Sequence, residues 1–157
     1  MAQLGLLPPN VHFVPIDFNT EQLDDALAKG GLSPSERAIF VWEGVSQYLK
    51  PESVDSVLRS IAKRPEGTEL VFTYVLEELI TGLLQPGRSE AFRKSAKRRP
   101  EPWNFGIDPL QLNAFVGSRG LSLQGDFGAQ EHQAHYLLPV RRKLEVSEIE
   151  RVAIAAV

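Results

Sequence analysis

The feature that most constrains this chain is an alternation. Short apolar runs rich in β-formers each give way to a stretch with helical periodicity. Val11–Ile16 reads VHFVPI and stops at Asp17; Ala38–Trp42 reads AIFVW and stops at Glu43-Gly44; Glu69–Val75 reads ELVFTYV. Runs of this kind are strands. Between the first two, Leu23, Ala26 and Leu27 form one helical stripe, with Asn19 or Thr20 as its cap and Gly30-Gly31 as its stop. Between the second and third, Pro51 occupies a first helical position, and Val54, Val57, Leu58 and Ile61 recur on one face. Strand–helix–strand–helix–strand predicts an α/β fold, a mainly parallel sheet with helices on its faces. The unbroken apolar run at Ala38–Trp42 predicts a strand covered on both sides.

The second half is more mixed. Glu77–Leu84 reads as a short helix or lid segment, and Ser89–Lys97 as a further helix, before a loop at Pro100–Gly106. Asp108 then caps a helix that has Pro109 at its first position, turns Leu112, Phe115 and Val116 inward, and stops at Gly120. Leu121–Phe127 and Ala134–Val140 read as a closing, antiparallel hairpin-like pair. Leu144-Glu145-Val146 suggests an edge strand, and the apolar end a last turn of helix. At 157 residues this is one domain or most of one. The segment 77–106 is placed to cover a substrate.

Several classes of function drop out. A net charge of -3 gives no general attraction for nucleic acid. With no cysteine there is no disulfide framework, thiolate metal site or cysteine nucleophile, which fits a reducing, cytoplasmic setting. The start, MAQLGLLPPN, lacks the basic and long apolar regions of a secretion signal, and no apolar stretch is long enough to span a membrane. Ser46 lies in W-E-G-V-S-Q rather than a G-x-S-x-G elbow, and reads as a turn or cap serine. Glu131-His132 and His135 form E-H-x-x-H in a strand-like region, so no metal is expected there. The basic residues from Arg93 to Arg99 read as a solvated helix face. No phosphate-binding G-K-[ST] loop is present.

In open α/β sheets, ligands bind beyond the carboxyl ends of the strands. That rule selects Asp17-Phe18, Glu43-Gly44 and Thr73-Tyr74. Asp17 can accept from an amine or hydroxyl, and Phe18 can lie against a flat heterocycle. Glu43 would suit a ligand ammonium group, and Gly44 lets the backbone approach a ligand. Plainer readings compete: Asp17 as a turn or cap residue, Glu43 paired with Arg37 or Lys50, Tyr48 as a helix-edge aromatic, and Trp42 as core.

The segments VHFVPIDF (Val11–Phe18), FVWEGVSQYL (Phe40–Leu49), ELVFTYV (Glu69–Val75), PWNFGIDP (Pro102–Pro109) and RKLEVSEIERVAIA (Arg142–Ala155) together resemble the leucine carboxyl methyltransferase-like family, and most closely its actinobacterial branch of S-adenosylmethionine-dependent methyltransferases. The resemblance implies a class I, Rossmann-like methyltransferase sheet with a C-terminal antiparallel strand. It implies S-adenosylmethionine as cofactor and a small or carboxylate-bearing substrate methylated on oxygen. Carried over residue by residue, it sets Asp17 and Phe18 near the adenine and Glu43 near the amino-acid end of the cofactor. Tyr48 matches the tyrosine of that same family segment. This chain departs from the family in lacking the glycine-rich turn and the first two strands, which would stand between Val11–Ile16 and Ala38–Trp42. On that template the domain is expected to be incomplete. It leaves two expectations: a methyltransferase, or a non-catalytic remnant or partner subunit that self-associates or joins a complementing chain through an exposed strand edge.

Overall fold

A computed structural model describes residues 8–83, 94 and 102–157. Four strands, β1 (Ile39–Trp42), β2 (Glu69–Val75), β3 (Ser122–Phe127) and β4 (Glu150–Ala156), form one open sheet in the order β1-β2-β4-β3. β1 and β2 run parallel, with Trp42 opposite Phe72. β4 is antiparallel to both neighbours, so the other three strands share one direction. The expected mainly parallel α/β sheet with one antiparallel C-terminal strand is what forms.

Helices α1 (Leu23–Lys29), α2 (Pro51–Ala62) and α4 (Leu112–Gly117) belong to one side of this sheet; the short α3 (Glu77–Thr81) follows β2. α2 starts at Pro51, whose fixed φ and missing N–H suit the first turn. Its Val54, Val57, Leu58 and Ile61 repeat at helical spacing and are all buried. They pack with Leu112 and Val116 of α4 onto Trp42, Leu70, Phe72, Tyr74, Ala153 and Ala155 of the sheet. Each such aliphatic side chain contributes about 1.5–3 kcal/mol on burial, which makes this layer the main source of stability. A smaller cluster, Val75, Leu76 and Leu79 with Ile80, Trp103 and Ile149, covers the carboxyl end of β2.

The two sides of β1 differ sharply. Trp42 is buried, whereas Ile39 and Val41, which alternation turns to the opposite face, are 69% and 70% exposed. The expectation of cover on both faces fails for this reason: all three helices of the main layer lie on one side.

Other expectations also change. Val11–Ile16 is irregular, not a strand. Among the described residues no strand lies beside it, Pro15 cannot donate to a ladder, and Phe13 is 76% exposed. α1 begins at Leu23 with Gln22 at its cap position, and Asn19 instead accepts from Ser53 Oγ at 3.2 Å. Ala134–Val140 is not a strand: helix α5 (Ala129–His132) runs into a π-helical turn, Gln133–Leu137. Glu131 starts that helix by accepting from the Gly128 N–H at 2.7 Å. The antiparallel partner of β3 is the tail: Glu150–Ala156 inserts as a strand between β2 and β3, in place of the expected last helical turn. Leu144–Val146 is irregular. Asp108 does cap, accepting from the Leu110 N–H at 3.0 Å, ahead of a 3₁₀ turn and α4. The helix expected at Ser89–Lys97, the basic run and most of 84–101 lie outside the described residues.

Candidate functional site

The carboxyl ends of β1 and β2 are tied together by one residue. Thr73 Oγ1 accepts from the Gly44 N–H at 2.8 Å, and the Thr73 carbonyl accepts from the buried Ser46 Oγ at 2.8 Å. Gly44 sits at φ 68°, in the left-handed region, and a Cβ there would meet nothing within 4 Å. Its backbone therefore faces open space, and the turn after β1 needs glycine for conformation rather than for room. Ser46, read from sequence as a local turn residue, reaches across to β2 instead.

Asp17 and Phe18 come to this same end of the sheet. The Phe18 ring is 6.1 Å from Trp42, the residue just before Glu43. Asn19 bonds Ser53 in the first turn of α2, which itself starts at the carboxyl end of β1. Asp17 heads a turn: its Oδ1 accepts from the Asn19 N–H at 2.9 Å, and its own N–H donates to Glu21 at 2.8 Å. The bond from the Asn19 backbone, followed by that from the Thr20 side chain, holds the Asp17 carboxyl below its ordinary range. The turn reading of Asp17 therefore holds, and the side chain is still exposed. Glu43 is exposed and, among the described residues, pairs with neither Arg37 nor Lys50. Phe18 is half-buried, Trp42 is core, and Tyr48 is 40% exposed.

Tyr48 lies in a 3₁₀ turn, Ser46–Tyr48, clamped by the PWNFG loop. The Gln47 carbonyl accepts from the Asn104 N–H at 2.8 Å, and the Tyr48 carbonyl accepts from Asn104 Nδ2 at 2.9 Å. Gly106 lets that loop pass close to α3, since a Cβ would lie 3.0 Å from Glu77 Cα. Two segments far apart in sequence are thus joined at one end of the sheet. Asn104 and Thr73 make the joints. Thr73 was visible as a strand end, while Asn104 sits in a loop with no local signal.

A separate depression of about 250 Å³ lies beyond β2, lined by Leu76, Glu77, Glu78, Thr81, Leu83, Asp108 and Pro109. Glu78 is buried there. None of Asp17, Phe18, Glu43, Gly44 or Tyr48 lines it. Among the described residues no cluster of three or more His, Asp or Glu is arranged to hold a metal ion, and no helix is long and apolar enough to cross a membrane.

Residues 1–62 match the leucine carboxyl methyltransferase family. The family resemblance carried by the sequence segments is borne out by this match and by curated relatives. YktD of Bacillus subtilis strain 168, which bears the name of an S-adenosyl-L-methionine-dependent methyltransferase, is 29% identical over 116 residues, covering 73% of this chain and 38% of its own length. A protein of the same description from Mycobacterium sp. strain KMS is 27% identical over 134 residues, covering 76% of this chain and 41% of its own length. The chain thus spans about two fifths of the length of these relatives. Among solved structures, the magnesium protoporphyrin IX methyltransferase of Synechocystis PCC 6803 with bound SAH aligns with a TM-score of 0.44 at 10% identity, covering 80% of this chain and 46% of that one. An O-methyltransferase of neocarzinostatin biosynthesis, in complex with S-adenosyl-L-homocysteine and 1,4-dihydroxy-2-naphthoic acid, aligns with a TM-score of 0.45 at 12% identity, covering 80% and 31%.

Proposed function

We propose that this chain supplies one wall of an S-adenosylmethionine site in a methyltransferase that acts on oxygen of a small or carboxylate-bearing substrate. One observation supports the reading: the Phe18 ring packs 6.1 Å from Trp42, the last residue of β1, which brings the Asp17-Phe18 turn toward the strand end that Glu43-Gly44 follow. The residues suit the cofactor chemically. Two exposed carboxylates suit its ammonium group and the amine of its adenine, and a half-buried aromatic ring offers a face for that base. In this reading Asp17 and Phe18 stand at the adenine, Glu43 holds the amino-acid part, and the Gly44 backbone borders the cofactor. Tyr48 stands at the rim, and the segment 77–106 covers the substrate. S-adenosylmethionine, when bound, supplies an electrophilic methyl group on a sulfonium. The protein's own share of the rate is then alignment of that group with the acceptor rather than proton transfer.

Calorimetry with S-adenosylmethionine tests the reading directly. Saturable binding, weakened about tenfold by Asp17→Ala and by Glu43→Ala through the loss of a charge-assisted hydrogen bond, is the expected outcome. A folded sample that gives no heat sinks it.

The free edge of β1 favours a second reading, in which the chain is a non-catalytic remnant or partner subunit that associates through that strand. It is distinguished by assembly in the absence of any cofactor.

A further inference from the structure

The connection between β3 and β4 carries an exposed surface that the candidate site does not use. β4 runs antiparallel to β3, so residues 128–149 lie at the carboxyl end of the parallel strands. After α5 the helix widens into the π-helical turn, where the Leu138 N–H donates to the Gln133 carbonyl at 3.0 Å. Pro139 accounts for the widening: it has no N–H, and its ring crowds the carbonyl four residues back. The helix then stops in a Schellman pattern. The Arg142 N–H donates to the Leu137 carbonyl at 2.9 Å, and the Arg141 N–H donates to the Leu138 carbonyl at 3.0 Å. Such a stop holds one residue in the left-handed region, where glycine is preferred; here that residue is Arg141, at φ 52°. Arg141, Arg142 and Lys143 are exposed and, among the described residues, form no salt bridge. Around them Tyr136, Leu138, Val140 and Leu144 are each more than half exposed. The Tyr136 ring is held in place by His132, stacked at 6.0 Å, and by the edge of His135 at 6.3 Å.

We propose that this segment is a contact for an anionic lipid surface. Tyr136, Leu138, Val140 and Leu144 enter the acyl boundary, and Arg141, Arg142 and Lys143 meet the headgroups. Charge is the first argument. The chain as a whole carries -3 and has no general attraction for an anionic surface, so the attraction is local to three successive cations. Arrangement is the second. Cations bracketed by apolar side chains match a bilayer interface, which is apolar below and negative above. A protein partner is held by shape complementarity, yet the depression beyond β2 includes none of these residues. A bilayer needs no recess. The third is conformational: glycine would suit the stop better than Arg141, so the arginine works against local stability, and what it adds is charge. Docking here holds the carboxyl end of the sheet near the lipid. The inference is independent of the cofactor reading.

Flotation of the whole chain with vesicles of phosphatidylglycerol and phosphatidylcholine in equal parts, and with phosphatidylcholine alone, tests the proposal. Saturable binding to the first, little to the second, and loss of binding at about 0.5 M salt are expected. Arg141→Gly is expected to weaken binding about fivefold without lowering the unfolding midpoint. Leu138→Gln/Leu144→Gln is expected to weaken it about tenfold or more, which a purely ionic contact would not show. Circular dichroism of both variants should match the native chain, because the altered side chains are already exposed. The proposal is overturned by a folded chain that ignores the anionic vesicles, by equal binding to the neutral ones, or by binding that survives Arg141→Gly/Arg142→Gln/Lys143→Gln. Equally strong capture by a polyglutamate peptide would assign the surface to an acidic protein instead. A lipid-free dimer abolished by the leucine substitutions would assign it to a second copy. No S-adenosylmethionine is present, so failure to bind cofactor has no bearing on the result.

Discussion

Thr73 does two separate jobs at the end of β2, one with its hydroxyl and one with its carbonyl, and both hold the turn that follows β1. Thr73→Val keeps the shape and the second bond but leaves the Gly44 N–H without its acceptor. Denaturant unfolding is expected to show a loss of about 1–2 kcal/mol. Saturation transfer or exchange at Gly44 should show faster amide exchange in this variant; an unchanged rate would mean that the Thr73 hydroxyl does not hold the turn. Next in the strand, Tyr74 donates to Asp126 Oδ1 at 2.9 Å, and Asp126 also takes the Arg151 guanidinium at 2.9 Å. Burial first, then the Asp126 charge, pushes the Tyr74 phenol well above its usual range. A raised folded pKa means that the folded state holds the proton more tightly. The contribution is therefore complete below about pH 10, the ordinary phenol value, and is lost as pH rises from there toward the folded value. Stability measured from pH 8 to 11.5 should fall more steeply for the native chain than for Tyr74→Phe; parallel curves would refute the assignment.

Among the elements, α2 was legible from Pro51 and a four-residue apolar repeat, because a helix with one buried stripe writes its own periodicity. Leu58 is fully buried in that stripe. Leu58→Ala is expected to cost about 2–5 kcal/mol by equilibrium unfolding. β1, β2 and β3 were legible for similar reasons, as was the Asp108 cap. Val11–Ile16 and Glu150–Ala156 were not. The first has a strand's composition without a neighbour to pair with, and strand propensity reflects packing more than backbone preference. The second, ERVAIAA, is rich in alanine, a helix former, yet it becomes the central antiparallel strand. The slot between β2 and β3 decides the matter, and Ala153 and Ala155 are fully buried there beneath the helical layer. In the site, the residues at strand ends were readable because strand ends are marked by a change from apolar to polar. The Asn104 clamp was not, since it joins residues 56 positions apart.

Across the whole molecule the asymmetry of the two sheet faces governs how substitutions should behave. Phe72, 1% exposed on the covered face, is expected to cost about 3–5 kcal/mol when replaced by alanine. Val41→Thr, two residues into the facing strand on the bare side, is expected to stay within about 0.5 kcal/mol in the isolated chain. A large loss for Val41→Thr in a monomer would mean that the face is covered after all. By itself the sequence determined the alternation of strands and helices, the buried stripe of α2, and the carboxylates that end the apolar runs, because each of these is a local pattern with its own period or boundary. Only the tertiary structure decided that β4 enters the middle of the sheet, that Phe18 packs against Trp42 where β1 ends, and that β1 shows an apolar face to water. Those outcomes depend on which elements find neighbours, and no stretch of chain carries that information alone.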